Sequence, residues 1–267
     1  MHFPRLSAAV MPKCSAPRPD RSRRAATTVK DETDLIAQRP VYIPISEGPL
    51  LVRTVEIQFE WFAGLAVSQK QRSIDALHAA AQPRVGSGQI LEISTKSRQA
   101  AGIASSAFNL MLRMPVSGRA TSVESAFQGS KVFENGGPYS DILAMSSVDA
   151  KRDQRIKNSG RLTGFRFMNE DWPLEPRTAF YDWLFISALL QNPALAHQLR
   201  GYCAFTDIEF NPARSINCQA YSAALFVALS ARGKLASSAL DQATFLALLA
   251  DYSQVDRDAD AGQASLF

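Results

Sequence analysis

The sequence predicts a single α+β domain, helix-rich, with a small, mainly antiparallel sheet. Three observations predict it. Short stretches alternate in polarity: Val55, Ile57, Phe59 and Trp61 face one way, and Thr54, Glu56, Gln58 and Glu60 the other. Longer stretches, above all 178–199 and 219–231, repeat apolar residues at helical spacing. The two kinds are mixed rather than strictly alternating, which argues against a doubly wound parallel sheet. At 267 residues and 46% hydrophobic, the chain can bury one sizeable core.

Residues 1–38 hold Pro4, Pro12, Pro17 and Pro19, scattered arginines and no apolar period, and read as a disordered basic tail. A transit peptide and a start codon placed too early are the other readings of this stretch. Within residues 1–30 there are seven Lys and Arg against one acid, a net +6. The remaining 22 basic and 24 acidic residues make the body slightly acidic, so any nucleic-acid contact must come from a local patch or the tail. The three cysteines have no metal-ligand spacing and read as reduced thiols of a cytoplasmic protein. No cofactor or metal is expected, and no apolar run is long enough for a membrane span.

The folded domain is expected over 39–252, with 253–267 a frayed tail. Order begins at Val41, where two strand patterns flank Glu47-Gly48-Pro49 as a hairpin. Ser68 is the expected cap of a helix from Gln69 to Ala81, with His78 on its half-buried stripe. Ile90–Thr95 and Phe108–Met114 read as strands, and the small, polar stretch between them as a loop. Lys151–Phe167 is the densest basic segment of the body; a solvated face and a polyanion contact are both open for it. Thr178–Leu199 is a helix split or kinked at Pro193, Ala204–Phe210 a strand, and Gln219–Ala231 an apolar helix. A last helix, Asp241–Tyr252, takes Asp241 or Ser238 as its cap.

The stretch Thr121–Tyr139 lines up an acid, an amide and an amine, and by spacing alone a capped surface helix with a polar stripe and a functional site are both open for it. Thr121 with Glu124 three residues on has the spacing of a capping box, and Gly136-Gly137-Pro138 stops the helix near Asn135. Glu124, Gln128 and Lys131 then share one helical face beside Phe127. For catalysis Glu124 must be aimed inward, not engaged in its own cap; the two uses compete.

Ser122-Val123-Glu124, Phe127-Gln128 and Lys131-Val132-Phe133 resemble the (S/T)-V-E-x-x-F-Q-x-x-K-F signature of the NADAR (YbiA-like) family. The continuation Glu134-Asn135-Gly136-Gly137-Pro138-Tyr139 is similar to the branch associated with DarT-type toxins. The resemblance implies a glycosidase that cuts an N-glycosidic bond to a ribose. For the toxin-associated branch it implies removal of ADP-ribose from guanine in DNA, as antitoxin to a DarT-type DNA ADP-ribosyltransferase. It implies catalytic roles for Glu124, Lys131 and Trp172. The expected substrate-binding residues are Lys96, Ser97, Ser106, Phe108, Asn109, Gln128, Gly136, Gly137, Tyr139, Arg161 and Asn211. The simplest family members carry a further acid in a D-x-x-W-G context, and Arg214 aligns to it here. Asp207, Glu209 or Asn211 takes its place, or one carboxylate suffices. A glycosidase of small ribosylated metabolites and a non-catalytic binder of ADP-ribose or of a toxin are the alternative readings.

Overall fold

The computed structural model describes residues 35–115, 118–212, 215–235 and 240–252. Residues 1–34 of the tail read at 1–38, the tail read at 253–267, Ser238 and Arg214 lie outside the described residues, whereas 36–38 of that first tail are ordered in a strand.

β1 (Ile36–Pro44) and β2 (Val52–Glu60) form the expected hairpin, in antiparallel register from Ile36 opposite Glu60 to Pro44 opposite Val52. The strand begins at Ile36, before the expected Val41, because the alternation of β2 offers partners along its whole length. Ile57 and Phe59 point inward onto α1 (Val67–Val85), which contributes Ile74, Leu77 and Ala81 to a small core. No side chain caps α1, so Ser68 does not serve as expected; Pro83 sits near its end.

β3 (Ile90–Glu92) and β9 (Ala204–Thr206) pair in parallel beside β1, giving the order β2-β1-β9-β3. The other two sheets are antiparallel: β4 (Met111–Arg113) with β5 (Ala120–Ser122), and β6 (Lys131–Phe133) with β7 (Leu162–Phe167) and β8 (Glu170–Trp172). The expected strands at 90–95, 108–114 and 204–210 shorten to three residues each, because their ends turn away into loops. The stretch read as a loop contains α2 (Ala100–Ala104), whose Gly102 lies against the Glu92 carbonyl and Ser97 Oγ, where no Cβ fits.

α3 (Val123–Gly129), a 3-10 turn (Ser140–Ala144), α4 (Ser147–Arg152) and α5 (Arg155–Asn158) follow. The expected split at Pro193 separates α6 (Ala179–Leu190) from α7 (Pro193–Leu199). α6 and α8 (Gln219–Ala231) are apolar on nearly every side and form the centre of the larger core. A polar stitch joins them: the Ser222 hydroxyl donates to Asp182 Oδ1 at 2.6 Å. The helix over 242–252 is capped by Asp241, whose Oδ1 accepts from the Thr244 N–H at 2.9 Å. Among the described residues no helix is long and apolar enough to cross a membrane.

Candidate functional site

Ser122, the last residue of β5, caps α3: its Oγ accepts from the Ser125 N–H at 3.0 Å. Thr121 does not cap, because strand pairing holds it opposite Leu112. The expected Thr121–Glu124 capping box is therefore absent, and the Glu124 carboxylate is not spent on its own helix end. α3 also stops at Gly129 rather than near Asn135, and Lys131 leaves on β6. Strand and helix nevertheless bring the three polar side chains together. Gln128 Nε2 donates to Glu124 Oε1 at 3.0 Å, and Lys131 Nζ donates to Gln128 Oε1 at 2.8 Å. Glu124 is only 6% exposed. Lys131 Nζ stands 4.7 Å over the Phe127 ring. Burial lowers the Lys131 pKa to about 8; Glu124 opposes that shift and Lys151 adds to it.

The loop 106–110 holds the start of α3. The Glu124 N–H donates to the Ala107 carbonyl at 2.9 Å and the Val123 N–H to that of Leu110 at 2.9 Å. Ala107 N–H in turn donates to Gln219 Oε1 at 2.8 Å. Phe108, half-buried, has its carbonyl bonded by Ser147 Oγ at 2.8 Å, and that hydroxyl also meets Ser122 Oγ at 2.8 Å. α4 is thereby tied to the cap of α3, and it carries Lys151 Nζ to 5.1 Å from the Phe108 ring centre.

Behind this cluster lie two buried acids. Asp207 Oδ1 accepts from the N–H groups of Glu209 at 3.0 Å and Phe210 at 3.1 Å, and Gln219 bonds to the same carboxyl. Burial, and then the neighbouring Glu92, push its pKa up to about 8. Glu92, 2% exposed, accepts from Thr206 Oγ1 at 2.7 Å and the Ile208 N–H at 2.8 Å, and burial raises its pKa too. His78 meets the same Thr206 hydroxyl at 2.8 Å, and burial lowers its pKa to about 4. Tyr181 packs edge-on to Phe127 with centroids 5.1 Å apart. Burial raises its pKa most, then Glu124, then Asp207, so the phenol feels both carboxylates.

The family model of DarT1-associated NADAR antitoxins matches residues 37–259. The chain belongs to that family. No curated protein matches it.

Within this NADAR antitoxin the expected site residues divide. Glu124, Gln128 and Lys131 converge, with Phe108 beside them on the loop that anchors α3. Ser106 is buried, its Oγ 3.4 Å from the Phe108 N–H, so it shapes that loop from inside. Asn109 is exposed, bonds the Ile103 carbonyl at 2.9 Å, and borders an apolar groove with Leu110, Met111 and Leu195. Lys96 is half-buried, and its carbonyl accepts from Gln71 at 3.4 Å; Ser97 is buried, with its Oγ accepting from the Gln99 N–H at 3.2 Å. Gly136 and Gly137 form the turn after β6; Gly137 has φ 82°, and a Cβ there would overlap the Lys131 carbonyl oxygen. The Tyr139 hydroxyl bonds Ser159 Oγ, and Arg155 stacks 4.6 Å over its ring. Arg161 is exposed and paired with Glu134 at 2.9 Å. Asn211 is half-buried, just after Phe210.

Trp172 does not present an open indole face. It is 2% exposed and packs on Phe180 at 5.3 Å and Trp183 at 5.0 Å, because β8 pairs it with Phe165 in the aromatic core. Of the acids weighed for the second position, Glu209 is exposed and paired with Lys70 at 3.4 Å, whereas Asp207 is 7% exposed. Sequence reasoning missed Glu92, Tyr181 and Gln219. Only Glu92 left a signal, as an acid inside the apolar run Ile90–Ile93.

Proposed function

We propose that this antitoxin is an ADP-ribosylglycohydrolase that removes ADP-ribose from guanine bases of DNA in the cytoplasm, reversing the product of a DarT-type toxin. The observation that carries the reading is the buried Glu124–Gln128–Lys131 chain, free of the helix cap and overlooked by Lys151. Family membership supplies the toxin pairing.

Cleaving a ribose–nitrogen bond passes through an oxocarbenium-like sugar, which calls for an anion near C1 and a proton for the departing base. Glu124 supplies the anion. Gln128 orients that carboxylate and spaces it from the Lys131 ammonium, so that the two do not neutralise each other by direct contact. Asp207, with its pKa up at about 8, holds a proton at neutral pH and is the group that gives it to the base nitrogen as the C1–N bond breaks. Water then adds to C1 and loses its proton to Glu124, releasing ADP-ribose and the unmodified base. Phe210, three residues beyond Asp207, stands at the aromatic spacing of the D-x-x-W pattern and supports this choice over position 214.

The test is Glu124→Gln on a DNA oligonucleotide ADP-ribosylated at guanine. Removing one such charge at a developing cation is expected to slow ADP-ribose release on the order of 10²–10³-fold, about 3–4 kcal/mol. The thermal midpoint should stay close to wild type, since Ser122 and not Glu124 caps the helix. A folded variant that hydrolyses at the wild-type rate would overturn the reading.

A further inference from the structure

Three of the six basic residues in the segment Lys151–Phe167, which follows the Gly-Gly-Pro turn, are neutralised by acids. Arg155 pairs with Asp141 and Asp153, each at 2.7 Å, Arg161 with Glu134 at 2.9 Å, and Arg166 with Asp171 at 2.5 Å. For Lys151, Arg152 and Lys157 no carboxylate stands within ion-pair distance among the described residues, and of these three Lys151 is the one set against the loop that anchors α3. Its ammonium lies instead over the face of Phe108, at 5.1 Å. The placement is built. Ser147, one turn earlier on α4, bonds both the Phe108 carbonyl and the Ser122 cap, so Lys151 is set against the loop that anchors Glu124.

The second ammonium, Lys131, stands over Phe127, and the two cations feel each other: Lys151 helps depress the Lys131 pKa. Glu124 offsets one of these charges, through Gln128, and nothing described offsets the other. Two like charges that feel each other, each held over an aromatic ring, leave an excess of positive charge that an anion would offset.

We propose that Lys151 and Lys131 form a two-ammonium clamp for the phosphates of a nucleoside-diphosphate sugar. The proposal rests on the glycohydrolase reading and names the substrate groups held beside Glu124. Arg155, Arg161 and Arg166, being paired, are not part of the clamp.

Calorimetric titration of the full-length protein with inorganic pyrophosphate, ADP-ribose and adenosine tests it, using Lys151→Met, which keeps the aliphatic stem, and Lys151→Arg, which keeps the charge. Lys151→Met is expected to weaken pyrophosphate and ADP-ribose binding on the order of ten-fold or more and leave adenosine unchanged. Lys151→Arg should restore most of the loss. In hydrolysis, Lys151→Met should raise KM with kcat held within a few-fold. Pyrophosphate binding that is unchanged in Lys151→Met, or absent in the wild type, overturns the clamp. If pyrophosphate binding depends on Lys151 but no ADP-ribose is released from modified DNA, the clamp stands and the glycohydrolase reading falls.

Discussion

Asp182 shows how a single buried group is set by its surroundings. It lies in α6 with 2% exposure, bonded by the Ser222 hydroxyl at 2.6 Å, and burial raises its pKa to about 7. Its folded pKa thus exceeds the unfolded value, so between roughly pH 4 and 7 the folded state binds more protons than the unfolded one. Stability from this group is fully present below pH 4 and is lost as pH rises through 7, by up to about 4 kcal/mol. Asp182→Asn, which stays neutral, should gain thermal midpoint over wild type as pH is raised from 5 to 8. A difference that stays constant with pH would mean that Asp182 is not the titrating group. The same effect acts on Asp207, where burial and then the neighbouring Glu92 push the pKa up to about 8.

At the scale of the element, α3 depends on its first residue. The Ser122 hydroxyl caps the Ser125 N–H, meets Ser125 Oγ at 2.8 Å and accepts from Ser147 Oγ, joining β5, α3 and α4. Ser122→Ala is expected to cost about 1–2 kcal/mol, measured by denaturant or thermal unfolding. Thr121→Val, which removes only a long 3.5 Å contact to the Ser122 carbonyl, should change stability by about 0.5 kcal/mol or less. The opposite order would restore the capping box that the spacing of Thr121 and Glu124 predicts. α3 is short, so most of its stability comes from packing: Val123, Ala126 and Phe127 are all buried, and Phe127 meets Phe165 at 5.4 Å.

For the whole molecule, the family match begins at residue 37 and β1 at Ile36. We propose that residues 1–34 are dispensable: their removal should leave ADP-ribose release within a few-fold and the thermal midpoint unchanged. Removing 1–40 should not be tolerated. It deletes the pairing of Ile36 to Pro40 with Glu60 to Glu56 and the Leu35 carbonyl that the Trp61 N–H bonds at 2.6 Å, and it uncovers Phe59 and Ile57. The midpoint is then expected to fall by roughly 5 °C or more. Equal stability of the two truncations would show that the hairpin adds nothing to the domain.

The α+β class, the β1–β2 hairpin, α8 to the residue and the break at Pro193 were legible because each rests on local periodicity or on a backbone restriction of Pro. Glu124, Gln128 and Lys131 were legible as a spacing, although the reason for their meeting was not: a helix that ends at Gly129 and a strand that turns Lys131 back replace one continuous helical face. What only the tertiary structure decided is which polar residues are desolvated together. Glu92 comes from β3, Asp207 from the turn after β9 and Tyr181 from α6, and no spacing in the chain encodes that parallel strand pairing and helix packing bring these groups within reach of one another. The same holds for Trp172, whose burial follows from its pairing with Phe165, and for Lys151, whose position follows from two hydroxyl bonds of Ser147. Periodicity is a property of neighbours along the chain, whereas a pKa and a site are properties of neighbours in space.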